Sequence, residues 1–487
     1  MHWLKISCIL CMFGCFKDFR PSESFITDYL TGPWKGFTPE EVNELIYPVS
    51  TYSYMATLIL VFLITDLVRY KPIIILCGLS GIVTYIMIIV GKSVLIFQIL
   101  EFFYGLYYST EVAYYTYIYA KVDKEHYQKV TGHTKAAVLI GRSMSGLIAQ
   151  LTASFRVLDY HQLNYLTLTS ITIATVWALF LPSVGQSIYF HRANACEDER
   201  RKRSLELRGI TVSVLPNAVC NGENSTTLHH SFAQLKAPLF YKIRNAYVLL
   251  WKHFVQAYAN DRVLKWSVWW ALATCGYLQV ISYVQLLWQT AVGPDDEIYN
   301  GAVDFIYAIL SAAIVFCIGM MRLNWNLLGD ITLFVFSLLE GLILLLMSFS
   351  DNIWFLYAGY IIFGVIYHTM VTVASFEVAK YISEDSYGLV FGINMFLALV
   401  VQSLLTFVVI NTLAMSIRPQ FFVYSSYFMV LAMVYLVMGV VNVVQLHRSG
   451  ESFHFWVNDN NNPSVTQNAS NSSNETTTSS KSEHNDS

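Results

Sequence analysis

Apolar residues in this chain form long blocks, and short polar stretches separate one block from the next. About twelve of the blocks have the length that an α-helix needs to cross the hydrocarbon core of a bilayer. The predicted spans lie at residues 5–30, 44–68, 72–92, 95–121, 130–155, 163–188, 263–291, 301–321, 326–349, 352–380, 385–413 and 418–446. The pattern therefore predicts an all-α membrane protein rather than a soluble domain.

One long polar interruption divides the predicted spans into two sets of six. We predict an N-terminal six-helix half at 5–190, a cytoplasmic basic loop at 191–262, a C-terminal six-helix half at 263–446 and a disordered cytoplasmic tail at 447–487. Two six-helix halves around a central cavity are the layout of a major-facilitator bundle. Basic loops stay in the cytosol, and residues 200–203 of the loop are all basic, so both termini are expected to be cytoplasmic.

The last part of the basic loop differs in composition from the rest of the loop. Residues 241–262 are aromatic and basic, which predicts an amphipathic helix on the inner leaflet. A solvated lead-in to the seventh span is the alternative.

Composition narrows the class of protein further. The chain is 55% hydrophobic and 13% charged, and its net charge of -3 is unlike that of a basic nucleic-acid binder. We therefore expect a lipid bilayer and no nucleic acid as partners. Cys8 and Cys11 have the spacing of a metal motif, but no second pair or histidine cluster accompanies them. We predict no metal, no cofactor and, because no motif of catalysis is present, no enzyme.

The fourth predicted span carries the most informative chemistry. Glu111 sits near its middle, and Tyr107, Tyr114 and Tyr115 lie three or four residues away on neighbouring faces of the helix. A carboxylate at mid-helix costs roughly 2.5–3.5 kcal/mol on insertion scales, and such residues usually serve a function. Aromatic faces attract cations, so the stretch predicts a site for an organic cation. The alternative is an interfacial tyrosine belt with Glu111 paired to a basic side chain.

Two further polar positions interrupt apolar runs near the start of the chain. Pro21 breaks the first helix and places Glu23 in apolar surroundings, where a local ion pair with Arg20 and contact with a ligand are equally expected. Asp66 and Arg69 end the second span. We expect them to take part in gating rather than in binding.

The fifth predicted span carries two basic residues on one face. Lys135 and Arg142 are seven residues apart. A buried Arg142 needs a partner, and we expect Glu101 or Glu111 on the preceding helix to supply it. If Arg142 neutralises Glu111, the argument for a cation site weakens. His368, in the second half, is expected to pack between helices, with a proton relay as the alternative.

Several segments of the chain resemble those of a known family, the reduced folate and thiamine carriers of solute carrier family 19. They are RPSESFITDYL (20–30), NELIYPVSTYSY (43–54), ITDLVRYKP (64–72), EFFYG (101–105), EVAYY (111–115), EHYQKVTG (125–132), YNGAVD (299–304) and LVFGINMF (389–396). The resemblance covers residues 5–190 and 255–446. It implies a plasma-membrane vitamin transporter that works by alternating access.

The resemblance also separates two substrate branches. Thiamine carriers have EVAYY, as here, which places Glu111 and Tyr114 in the binding site. Folate carriers have an arginine at the position of Glu111 and basic residues at those of Gly364 and Gln402. This chain therefore lacks three cations that would hold the carboxylates of a folate, and a glutamate attracts a thiazolium instead.

The chain departs from the thiamine branch at a few positions. Ser50 stands where those carriers have a tryptophan, Ser282 where they have an asparagine, and Arg142 where both branches have an uncharged residue. The departures favour a shifted substrate as one alternative, either another organic cation or an anion held by Arg142. Further cavity residues are expected at Glu23, Ser282, Tyr283, Asp304 and Gln402.

Thiamine import by alternating access is the function that these observations predict, with the cation held by Glu111 and tyrosines. The first alternative is a carrier of reduced folate or another organic anion that uses Arg142 and Lys135. A second is a membrane ligand sensor without transport activity. Titratable groups in the spans are compatible with a proton as the coupling ion, while exchange and uniport are equally open.

Overall fold

The computed structural model describes residues 3–122, 126–184, 239–293, 297–320, 325–382 and 387–449. Within these ranges the chain is almost entirely helical. Most of the predicted basic loop and nearly all of the predicted tail lie outside them. Predictions about residues 185–238 and 450–487 therefore stay predictions.

Helices occupy all six predicted spans of the first half, and together we call them the first helix group. They are α1 (Trp3–Asp18), α2 (Ile26–Thr31), α3 (Pro39–Val68), α4 (Lys71–Val90), α5 (Val94–Ser109), α6 (Glu111–Lys121), α7 (Tyr127–Ser154) and α8 (Tyr160–Leu179). Helix α3 contains a π-helical turn at Val42–Ile46, and a 3-10 turn at Pro21–Phe25 links α1 to α2.

Six longer helices form the second helix group, and one further helix precedes it. Helix α9 (Leu239–Tyr258) covers most of the stretch for which an amphipathic helix was predicted. The second group consists of α10 (Asp261–Gln289), α11 (Asn300–Met320), α12 (Trp325–Phe349), α13 (Ile353–Tyr381), α14 (Tyr387–Thr406, with a π-helical end at Phe407–Thr412) and α15 (Ile417–Ser449). Nine of the helices in the described part of the chain are long and apolar enough to cross a membrane.

The fourth predicted span is not one helix, which corrects our expectation. It breaks at Thr110, whose hydroxyl bonds back to the carbonyl oxygens of Leu106 and Tyr107 at 3.0 and 2.8 Å. Such back-bonding by threonine often accompanies a bend in a helix. Glu111 therefore begins α6 instead of lying in the middle of a helix, and a carboxylate is favourable at this positive end of a helix.

The two helix groups pack together along two seams. Helix α7 packs against α11, and α3 packs against α14. At the first seam the backbones cross at Gly146 and Gly301. A Cβ atom on Gly146 would lie 2.6 Å from the carbonyl oxygen of Gly301 and 2.8 Å from the backbone nitrogen of Phe305. Small residues are what allow two membrane helices to approach so closely.

Hydrogen bonds between the groups close one end of the bundle. Asp28 accepts a bond of 2.9 Å from Gln289, and the backbone nitrogen of Thr27 donates to Gln285 at 3.1 Å. Elsewhere between the groups, Gln420 of α15 donates to Asn43 of α3 at 3.0 Å. These residues surround the connections from α2 to α3 and from α10 to α11, and we call this end the closed end.

The opposite end is joined differently. There α14 contributes the close approaches between groups, with Gly392 against Phe62 and Gly388 against Thr116. By contrast, Gly132 and Lys135 on α7 are exposed. The bundle is therefore more open on the α7 side of this end.

The tight seam at Gly146 leads to a prediction about stability. Gly146→Ala should destabilise the protein by about 1–3 kcal/mol, because the added methyl group meets backbone atoms that cannot move alone. The control is Gly132→Ala on the same helix, where a Cβ atom meets nothing within 4 Å. Thermal unfolding in detergent measures both. Equal melting temperatures for the two variants would contradict the described seam.

Candidate functional site

A break in the first helix brings charged side chains into the middle of the first group. Helix α1 ends at Asp18, and Arg20 adopts a non-helical conformation (φ −128°, ψ 71°) before Pro21. A proline disfavours the helical conformation in the residue before it, which confirms the predicted break and gives its cause. The turn that follows directs Glu23 toward the neighbouring helices.

Six charged side chains meet at this break, and we call them the charged hub. They are Lys17, Asp18, Arg20, Glu23, Glu111 and Arg142. Asp18 lies at its centre, 3.2 Å from Lys17 Nζ, 3.5 Å from Arg20 Nη2 and 3.6 Å from Arg142 Nη2. One carboxylate is thus shared among three cations.

Two of the three cations also reach a second carboxylate. Lys17 Nζ donates to Glu111 Oε1 at 2.9 Å, and Arg20 Nη1 donates to Glu23 Oε1 at 2.5 Å. The local pair of Arg20 with Glu23 is confirmed. The expectation that Arg142 pairs with Glu101 or Glu111 is wrong, because Asp18 on α1 is nearer and its charge was overlooked.

The side chains of the hub differ in solvent exposure, and the exposed ones determine which charges a ligand can contact. The side chains of Lys17, Asp18 and Arg20 are only 2–3% exposed. Those of Glu23 and Glu111 are 30% and 23% exposed. Buried charges in a low dielectric persist when they are paired, so the inner three support the outer carboxylates.

Tyrosines from α4 and α5 hold the hub. Tyr104 and Tyr85 donate to Glu23 Oε1 at 2.7 and 3.1 Å, and Arg20 donates to the hydroxyl of Tyr108 at 3.0 Å. The guanidinium of Arg20 also lies 5.4 Å from the centre of the Tyr108 ring, in a cation–π geometry. Glu23 is therefore fixed in place by three donors.

The three tyrosines predicted to line the site take different positions. Tyr107 is buried below the hub, and its hydroxyl donates to the carbonyl oxygen of Lys17 at 3.0 Å. Tyr114 is fully buried against Phe13 and donates to the carbonyl oxygen of Leu10 at 2.8 Å, so in this conformation it presents no surface to a ligand. Tyr115 is partly exposed beside Glu111.

An aromatic cluster of the second group faces Arg142. Tyr277 and Tyr367 stack with ring centres 3.9 Å apart and planes 7° apart. His368 is 3.3 Å from the Tyr277 hydroxyl, which also bonds to Tyr307 at 2.9 Å. Arg142 lies near Tyr277, Tyr307 and His368. Glu23, Glu111 and Arg142 are partly exposed, and we call the space that their side chains border the central cavity.

The remaining predicted site residues differ in burial and in their partners. Asp304 accepts a bond of 2.7 Å from Ser24, which joins the two groups. Gln402 is buried and donates to Gln279 at 3.3 Å. Ser282 is partly exposed, whereas Tyr283 is fully buried and its hydroxyl has no partner in the described structure.

Glu101 is not part of the charged hub. Glu101 is 7% exposed, and Ser50 on α3 lies near its carboxyl group. Within the part of the chain that the structure describes, it has no ion pair. Glu101 is therefore a buried acidic group near Ser50, the residue that stands where thiamine carriers have a tryptophan.

The predicted gating residues lie in the tight turn between α3 and α4. Asp66 accepts a bond of 2.6 Å from Tyr70, and both Arg69 and Tyr70 have positive φ angles (69° and 65°). Positive φ is uncommon for such residues and marks a constrained turn. A role in gating stays a prediction.

Sequence reasoning missed the inner half of the hub. Lys17 and Asp18 lie within the first predicted span, and together with Arg20 and Glu23 they place four charged residues near its middle. Charged residues inside a membrane span mark a functional site by default. That signal was sufficient to find them.

Comparisons with known proteins identify the same family as the sequence segments listed above. A family model described as reduced folate carrier matches residues 1–423. Thiamine transporter 1 of Homo sapiens is 39% identical over 92% of this chain and 92% of its own length. Thiamine transporter 2 of Homo sapiens is 40% identical over 89% of each, and folate transporter 1 of Caenorhabditis elegans is 34% identical over 89% of this chain and 92% of its own length.

A solved structure agrees on the fold. A POT family transporter in complex with a thioalcohol-conjugated peptide matches with a TM-score of 0.58, covering 88% of this chain and 95% of its own. Its sequence is 13% identical, so the likeness concerns the fold alone. The predicted major-facilitator bundle is confirmed.

The hub generates a prediction about coupling between its members. Lys17→Met should destabilise the protein strongly, on the scale of about 3–5 kcal/mol for breaking a buried pair, because Glu111 loses its cation. Glu111→Gln should be milder, since Lys17 keeps Asp18. Melting temperatures of both single variants and the double variant measure the coupling.

The double variant is the decisive member of this cycle. Because the neutral amide introduced by Glu111→Gln needs no cation, Lys17→Met should cost less in the Glu111→Gln background than in the wild type. Strictly additive losses would contradict the described ion pair.

Proposed function

The chain belongs to the reduced folate carrier family, and we propose that it imports thiamine across the plasma membrane by alternating access. The relatives named thiamine transporter support this assignment over the folate transporter relative by a few per cent of identity. The protein is a multi-pass vitamin transporter and not an enzyme. The geometry of the charged hub supports the choice of a cationic vitamin.

The exposure of the hub carries the proposal. Lys17 and Arg20 are buried behind Glu23 and Glu111, the two hub carboxylates that are partly exposed between the tyrosines, and Arg142 is the exposed cation of the hub. This wall of the cavity therefore presents carboxylates to a ligand, while its Lys17 and Arg20 side chains stay buried. The thiazolium nitrogen of thiamine bears a permanent charge and no proton, so carboxylates and aromatic faces are its natural partners.

The tyrosines supply the aromatic part of this receptor. The rings of Tyr104 and Tyr108 meet edge to face, with centres 4.9 Å apart, directly beside Glu23. Tyr115 flanks Glu111 on the next helix segment. In our proposal the thiazolium lies against these rings, with Glu23 and Glu111 as counter-ions.

Two positions without a basic side chain and two buried cations argue against a folate. Gly364 packs under the ring of Tyr307, and Gln402 bonds to Gln279, so neither brings a cation to the cavity. Lys17 and Arg20 are buried and already paired. A dianion with an extended glutamate tail would thus meet acidic groups on this wall, with a penalty of like charges.

The direction of opening follows from the predicted topology. If the basic loop is cytoplasmic, the closed end with Asp28 and Gln289 faces the outside, and the conformation is the inward-facing one. Import then requires the bonds at the closed end to break while α7 and α13 meet at the other end. Asp66 and Arg69 are proposed to steady that inner end. Coupling to protons stays a prediction.

Uptake measurements test the proposal. Cells without their own carriers, expressing the wild type, should take up labelled thiamine saturably and labelled folate poorly. Glu23→Gln and Glu111→Gln should each lower the efficiency of thiamine uptake about tenfold or more, the scale of losing one interaction of a charged group. Arg20 and Lys17 each keep Asp18 in these variants, so neither buried cation is left without a carboxylate partner.

A matched control separates the site from general loss of acidic groups. Glu40→Gln changes an exposed carboxylate at the start of α3 and should leave uptake unchanged. Surface labelling confirms equal expression. Folate uptake that is insensitive to Glu23→Gln, with no thiamine uptake, would contradict the proposal and favour an anion carrier. A surface-expressed protein that takes up neither would favour a sensor.

A further inference from the structure

Helix α9 presents an apolar stripe that neither the central cavity nor the proposed transport uses. The stripe consists of Val248, Trp251 and Val255, which recur at intervals of three and four residues and so share one face of the helix. These residues are 61%, 65% and 48% exposed, and Tyr247 beside them is 40% exposed. A contiguous exposed apolar surface marks contact with a partner or with a membrane.

The other face of α9 packs on the bundle and reaches both helix groups. Ala257 is buried, and the helix packs against α10 and α14 of the second group. The Tyr258 hydroxyl donates to Asn394 of α14 at 2.8 Å, and the Tyr247 hydroxyl donates to the carbonyl oxygen of Leu63 of α3 at 3.3 Å. Helix α9 therefore spans the seam between α3 and α14.

The two hydrogen bonds place α9 near the surface of the bilayer. Leu63 lies five residues before the end of α3 at Val68, and Asn394 lies seven residues after the start of α14 at Tyr387. At 1.5 Å per residue, both contacts are about 7–11 Å from these helix ends, which the predicted topology puts on the cytoplasmic side. An amphipathic helix lies with its apolar face about 5–10 Å into the boundary between headgroups and acyl chains. This depth indicates that the apolar stripe faces lipid.

The charged side chains of α9 are all basic. Residues 239–258 contain lysine and arginine but no aspartate or glutamate. Arg244 lies one turn before Val248, in line with the stripe, and Lys252 follows Trp251. Both basic residues are exposed. Cations that border an apolar stripe complement a lipid whose headgroup is negative.

We propose that the exposed side of α9 binds anionic phospholipids of the inner leaflet, with Arg244 and Lys252 at the headgroups and the apolar stripe against the acyl chains. A zwitterionic phospholipid offers the same acyl chains, but its own cation competes with the two basic residues for the phosphate. The surface therefore selects lipids by the charge of the headgroup. Lipid bound there holds α9 across the seam between α3 and α14 and so stabilises the conformation described here.

Lipid titrations of the purified full-length protein test the proposal. Native mass spectrometry gives dissociation constants for phosphatidylserine and for phosphatidylcholine with the same acyl chains. The wild type should bind phosphatidylserine at least about tenfold more tightly, because each cation near a membrane surface contributes roughly fivefold. In the Arg244→Gln/Lys252→Gln double variant the preference should fall to about twofold or less. Phosphatidylserine should also raise the melting temperature of the wild type more than that of the double variant.

Two control variants separate headgroup charge from other effects. The Arg244→Lys/Lys252→Arg double variant keeps both charges and should keep the preference. Lys92→Gln removes an exposed cation in the connection from α4 to α5, at the opposite end of the bundle, and should leave the preference unchanged.

Fluorescence quenching in lipid nanodiscs locates the stripe. Phospholipids brominated on their acyl chains close to the headgroup quench tryptophan that they contact. The quenched fraction of the fluorescence should therefore be smaller in Trp251→Phe than in the wild type.

Each measurement can overturn the proposal. Equal affinities of the wild type for both lipids would do so, and so would a preference that persists unchanged in the Arg244→Gln/Lys252→Gln double variant. Equal quenching of the wild type and Trp251→Phe would place the stripe in water and favour a soluble protein partner instead of lipid. None of the measurements uses thiamine, so their outcome is independent of the proposed function.

Discussion

Charge neutrality inside the membrane is the constraint on which this site depends. The broken end of the first helix carries Lys17, Asp18 and Arg20 into a region where an unpaired charge would be costly. Asp18 cannot neutralise three cations alone, so Glu23 and Glu111 complete the balance from a turn and from another helix. The ion pairs thereby tie the start of the chain to the fourth and fifth predicted spans.

The same balance gives the cavity its polarity. Because the inner charges are buried, the partly exposed members decide what a ligand meets: carboxylates on one side and Arg142 on the other. The tyrosines around Glu23 restrict its orientation, and the stacked pair of Tyr277 and Tyr367 forms a rigid opposite wall. A change between inward and outward states has to move these walls apart without unpairing the hub.

Much of the fold was predictable, because long apolar blocks leave a chain few alternatives to membrane helices. The break before Pro21 followed from local chemistry, and so did the pair of Arg20 with Glu23. The break at Thr110 was missed, because hydroxyl back-bonding leaves no mark in hydropathy. Tertiary contacts were missed for a similar reason: spacing along one helix cannot show that Arg142 meets Asp18 from another.

The central claim is that the acidic wall of the hub receives the positive charge of the vitamin. An experimental structure of the protein with bound thiamine tests it most directly. The account predicts the thiazolium within about 6 Å of the Glu23 or Glu111 carboxylate, against the rings of Tyr104, Tyr108 or Tyr115. A thiazolium beside Arg142 and Lys135 instead, or outside the central cavity, would contradict it.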